Sequence, residues 1–259
     1  MLDQLFSISP AWASSFLMIL ARISAAIVAL PLFGARGVPA QAKIGLAVLL
    51  SLIVLPLQST PAMLMPSSLL VVASLIGSEV LVGITIGIAV MLVFRALEMG
   101  STLVGVQMGF GIAAVLDPTS GEQIGTLDQF YRLLVTLVFF AVNGHLIVVQ
   151  GLLQSFEVVP PGTADLSLIA GDRVIPFFAA LFVIAVRISL PVVGALLLTD
   201  VAMALVGRTV PQMNILIVGF PLKIGVGLLV LVAGMPVLVA FIGSVFGRML
   251  LDVNGFFAP

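Results

Sequence analysis

Hydrophobic residues along this chain come in long runs, separated by short stretches that hold most of the charges, prolines and turn residues. A helix needs about 20 consecutive apolar residues to cross a bilayer, so each run predicts a membrane-buried helix. The first run, Ala11 to Phe33, is interrupted only by Arg22 and stops at Pro31-Leu-Phe-Gly34, a turn signal followed by Arg36 and Lys43. No charge occurs between Lys43 and Glu79, but Pro56, Pro61 and Pro66 cut that stretch. The cuts predict a short second segment over Ile44 to Leu57 and a third over Leu69 to Phe94, with Gly77, Gly83 and Gly87 at helix-packing spacing. A fourth run, Leu133 to Phe156, carries Asn143 and His145 near its middle and ends at Val159-Pro-Pro-Gly162. The fifth, Val174 to Thr199, contains Arg187 and Pro191; the sixth, Ile215 to Phe246, is kinked by Pro221 and Pro236. Asp200 to Pro211 reads as a helix-breaking region between those two.

Between the third and fourth runs lies a different kind of sequence. From Arg95 to Arg132 the chain holds Glu98, Asp117, Glu122 and Asp128 together with glycines at 100, 105, 109, 111, 121 and 125, and it cannot be an ordinary lipid-facing helix. The pattern predicts an all-α integral membrane protein of about six hydrophobic helices with kinks and a glycine-rich re-entrant or plug-like loop.

Composition strengthens that reading. With 61% hydrophobic and 8% charged residues and a mean hydropathy of +1.34, the chain has too little polar material to cover a water-soluble globule, so lipid must cover the rest. The acidic Asp3, where a secretory signal carries positive charge, predicts that the first run is a retained membrane segment. Net charge is −1 and the charges are scattered, which leaves no basic stripe for nucleic acid. Counting Lys and Arg in the connections puts Arg36, Lys43, Arg95, Arg132 and Arg208 on one side against Arg173 and Arg248 on the other. The first side is expected to be cytoplasmic and both termini external.

Chemistry has few candidates. There is no cysteine and one histidine, His145, which excludes thiolate and multi-histidine metal sites. No nucleotide-binding loop and no serine nucleophile elbow is present, so the chain is expected not to be an enzyme and to need no cofactor. Charges inside apolar segments are costly, and Arg22, Glu79, Arg187, Asp200 and Lys223 are the ones to weigh. They are either structural charges paired inside the bundle, with Asp200 against Arg187 or Arg208 as the nearest candidate pair, or the ion path of a secondary transporter for a small solute. His145 is either a proton relay or an interhelical hydrogen-bonding group. The stretch Gly105 to Gln123 alternates glycine with bulky apolar residues, a backbone tolerated at membrane depth only when buried or lining a cavity. Met108 and Phe110 on such a loop have the soft apolar character that closes a conduit by contact and by excluding water, though a loop packed for structural reasons fits as well.

Several motifs occur in order along nearly the whole chain: Pro31-Leu-Phe-Gly34, Val38-Pro-Ala-Gln-Ala-Lys-Ile-Gly45, Gln107-Met-Gly-Phe-Gly111 with Asp117-Pro118, Asn143-Gly-His145, Ser155-Phe-Glu157, and Arg208-Thr-Val-Pro-Gln-Met-Asn214. In this set the chain resembles the flagellar biosynthetic FliR family, which goes with the corresponding membrane component of virulence type III secretion systems. The resemblance implies a subunit of the flagellar type III protein export gate, in the bacterial inner (cytoplasmic) membrane at the flagellar basal body. There it would form, with FliP and FliQ and beside other export-apparatus membrane proteins, a channel for unfolded flagellar proteins. It also implies a FliP-like part over residues 1–199, a FliQ-like helical hairpin over 200–259, and a plug loop over 106–122. Met108, Gly109, Phe110 and Gly111 would narrow the closed channel, and the intramembrane charges would fix subunit register.

Overall fold

A computed structural model gives the fold and describes residues 10–31, 38–57, 66, 68–110, 126–163, 171–210, 212 and 214–257. Among these the chain forms α-helices and one short 3-10 turn. The helices are α1 (Pro10–Ala29), α2 (Ala40–Val54, continued by the turn Leu55–Leu57), α3 (Leu69–Met108), α4 (Thr126–Ala141), α5 (Gly144–Val158), α6 (Gly171–Thr209) and α7 (Ile215–Phe257). Five of them, α1, α2, α3, α6 and α7, are long and apolar enough to cross a membrane, and α4 with α5 makes a sixth if taken as one broken span. The fold is that of an all-α membrane protein.

Three segment ends differ from the sequence reading, each for a local reason. The third helix does not stop at Phe94 but runs 40 residues to Met108. Its charges are satisfied where they stand, so they do not end the helix. Arg95 pairs with Glu98 at 2.8 Å, Glu98 accepts from Arg132 Nε at 3.0 Å, and Ser101 and Thr102 donate to Asp128 at 2.6 and 3.1 Å. The fourth run is broken at Val142 and Asn143, where Asn143 takes a φ of 57°. Asparagine is among the few residues with a side chain that tolerate this left-handed conformation. Finally, α6 continues through Asp200 to Thr209 because Asp200 is paired with Lys223 on α7 at 2.5 Å.

By contact, the chain divides into two compact units, one of residues 1–92, 145–174 and 248–259, the other of residues 93–144 and 175–247. In the first, α1 packs on α2 and on the first half of α3, with Ile19, Ile23, Ile86 and Phe156 fully buried. Gly83 and Gly87 of α3 lie against the α1 backbone: a Cβ on Gly83 would collide with the Arg22 carbonyl oxygen, and one on Gly87 would stand 2.7 Å from that of Ala26. Small residues at this spacing are what let two apolar helices touch closely in a membrane. Gly77, the third member of the series, meets no atom within 4 Å. In the second unit Phe94, Phe139 and Phe246 form an aromatic cluster with centroids 5.0 to 5.3 Å apart, all tilted or edge-on as ring quadrupoles prefer.

Candidate functional site

Of the intramembrane charges picked out by sequence, two meet in the first unit. Arg22 Nε donates to Glu79 Oε2 at 2.6 Å, and both side chains are fully shielded from solvent. Arg22 Nη1 donates to the Ser155 carbonyl at 2.9 Å, and the guanidinium lies 4.3 Å from the Phe156 ring centroid. The other Glu79 oxygen accepts the Gly162 N–H at 2.7 Å. That N–H belongs to a Pro160–Thr163 turn, closed by the Thr163 N–H on the Pro160 carbonyl at 3.1 Å. Gly162 sits at its third position with φ 80°, as a type II turn with proline before glycine requires. One buried ion pair therefore fastens α1, α3, α5 and the turn after α5 together, and only Arg22 Nη2 of its atoms is buried without a hydrogen bond.

The second unit holds Asp200 and Lys223, beside the end of α3. Asp200, expected opposite Arg187 or Arg208, takes Lys223 as its ion-pair partner, since the facing helix α7 brings that ammonium to 2.5 Å. Gln107 Nε2 donates to the other Asp200 oxygen at 3.5 Å. Arg187 is exposed on α6 and has no ion pair among the described residues.

The first residues of the expected plug lie against this pair. Met108 ends α3 fully buried, its thioether packed on Gly227 of α7. Gly109 follows with φ 91°. The Gly109 N–H reaches the Val106 carbonyl at 3.1 Å and the Phe110 N–H reaches Gly105 at 3.0 Å. These two bonds, with a left-handed glycine just past the last helical residue, make a Schellman cap. A Cβ on Gly109 would lie 2.7 Å from the Phe220 ring, so the position requires glycine for both its dihedral and its space. Gly111 and the loop through residue 122 lie outside the described residues.

Thus the structure brings Met108, Gly109, Phe110, Asp200 and Lys223 to one end of the second unit and places Arg22 with Glu79 in the first. Sequence reasoning did not mark Gln107, Phe220 or Gly227 as neighbours of the loop; Gly227 in the run Gly225-Val-Gly227 was the one visible signal. His145 is exposed near the start of α5. Among the described residues no group of three or more His, Cys, Asp or Glu side chains is placed to hold a metal. A solute carrier would need Glu79 and Asp200 free to exchange protons or ions, and each has a cation within bonding distance.

The sequence model of bacterial export proteins, family 1, matches residues 13–249. The flagellar biosynthetic protein FliR of Bacillus subtilis (strain 168) is 35% identical over 238 residues, 90% of each chain. That of Pectobacterium carotovorum subsp. carotovorum is 30% identical over 241 residues, 92% of this chain and 90% of the relative. The Escherichia coli (strain K12) protein is 29% identical over 238 residues, 92% and 90% of the two chains.

Proposed function

The chain belongs to the FliR family of bacterial export proteins, and from that premise we propose that it forms, with FliP and FliQ, the gate through which unfolded flagellar proteins leave the cytoplasm. Its place among membrane-embedded components of the flagellar export apparatus follows from the family and from its apolar helices. We further infer residence in the inner membrane at the basal body, contacts with other export-apparatus membrane proteins, a FliP-like part over 1–199 with a FliQ-like hairpin over 200–259, and no catalysis. The carrying observation is the base of the glycine-rich loop, capped by Gly109 and held by Met108 on Gly227.

On this reading the loop 106–122 closes the path. Met108 is its anchor and Gly109 its pivot, while Phe110, Gly111 and the apolar residues beyond seal against water and ions until substrate displaces them. Because α3 ends on a firm cap, loop movement need not disturb the helix. The partly exposed Asp200–Lys223 pair holds α6 and α7 together below the pivot, and the buried Arg22–Glu79 pair keeps the first unit in register.

The test is conductance. The gate assembled with this chain lacking residues 110–122, which spares Met108, is reconstituted in planar bilayers and compared with the intact assembly. A persistent ion leak is expected, and a conductance equal to that of the intact gate would sink the plug assignment.

A further inference from the structure

We propose that a slot between α4, α6 and α7 in the second unit binds one anionic phospholipid, with its phosphate on the Arg187 guanidinium and an acyl chain in the slot. The cavity measures about 240 Å³, and of its lining residues only Tyr131 and Arg187 carry polar side-chain atoms. Its walls are otherwise Pro191 and its neighbours on α6 and Gly234, Val237 and Phe241 on α7. A Cβ built on Gly234 meets nothing within 4 Å. The side chains of the described residues leave this space unfilled, although protein interiors are otherwise close-packed.

Charge selects the occupant. Asp200, on the same helix, is neutralised by Lys223, whereas Arg187 is exposed and faces no carboxylate within bonding distance among the described residues. A cation with no carboxylate partner among the described residues, beside an apolar slot on a membrane helix, calls for an anion that brings its own hydrocarbon.

Arg187 is exposed and the rest of the lining except Tyr131 is hydrocarbon, so a headgroup phosphate would meet the cation at the surface while an acyl chain meets the apolar wall.

The full chain is purified in mild detergent, delipidated, and titrated with phosphatidylglycerol, phosphatidylcholine or glycerol phosphate, with bound molecules counted by native mass spectrometry. One phosphatidylglycerol is expected to remain, with phosphatidylcholine and glycerol phosphate at least tenfold weaker. Arg187→Gln, which removes the cation, and Gly234→Leu, which fills the slot but keeps the cation, are each expected to lower retention at least tenfold. Retention unchanged in either variant would overturn the site. Equal binding of glycerol phosphate would make it a bare phosphate contact, and equal binding of phosphatidylcholine would remove the charge selection; both contradict the proposal. A photo-crosslinking residue at Val237 in the assembled complex is expected to capture lipid, and capture of a protein subunit there would assign the slot to a partner instead.

Discussion

Replacing Glu79 by leucine leaves Arg22 charged, fully enclosed and hydrogen-bonded only to the Ser155 carbonyl and hydroxyl. Removing one partner of a buried ion pair costs about 3 to 5 kcal/mol, because the remaining charge is uncompensated. Glu79→Leu also strips the Gly162 N–H of its acceptor, adding about 1 to 3 kcal/mol for an unsatisfied buried group. The double variant Arg22→Met, Glu79→Leu removes both charges, and a well-packed apolar replacement of a buried pair is often neutral or stabilising, by about 1 to 4 kcal/mol. It still leaves the Gly162 N–H and the Ser155 carbonyl unpaired. The double variant should therefore be more stable than Glu79→Leu alone, which is the reverse of additivity. The assay is a double-mutant cycle on the purified full chain, unfolded reversibly in mixed detergent and followed by far-UV circular dichroism. A single variant costing under about 1 kcal/mol, or a double variant costing the sum of the singles, would refute the account of the pair as a coupled buried unit.

Two further outcomes are expected in the same assay. Gly83→Ala should destabilise by about 1 to 3 kcal/mol through overpacking, because its Cβ would collide with the Arg22 carbonyl. Gly77→Ala, in open space, should stabilise by up to about 1 kcal/mol through helix propensity; equal effects at the two positions would contradict the close α1–α3 approach. Asn143→Val should cost about 1 to 2 kcal/mol for a left-handed backbone, since Asn143 has φ 57°. Asn143→Gly should be tolerated, and a harmless valine would mean that the α4–α5 break relaxes.

Hydropathy found the helices because in a membrane chain the apolar run is itself the element. Where it erred, it took a charge as a terminus. Arg95 and Glu98 looked like the edge of a segment, yet Glu98 is also paired with Arg132, and Ser101 and Thr102 with Asp128, both on another helix, pairings no local window contains. Asp200 looked like a breaker for the same reason, and its partner Lys223 became apparent only once α7 lay alongside α6. Asn143 was noticed beside a histidine, but its sequence does not declare a positive φ. At the candidate site, Met108 and Gly109 stood out as loop residues, and the Gly105–Gly109 spacing permits the cap that the structure has. That Met108 is an anchor rather than an exposed surface depends on Gly227, more than a hundred residues away.

The exposed side of α7 has a further consequence. Within its most apolar 18-residue window only 11% of the residues are buried by the described part of the chain. Whatever covers that face binds the folded form and not the unfolded one, and so stabilises it in proportion to its own abundance by mass action. The lifetime of a newly made copy is then set by how soon it is covered. Synthesis in excess of its covering partners should add to degradation rather than to the folded pool, which makes the supply of those partners a limit on how much of this chain a cell can keep.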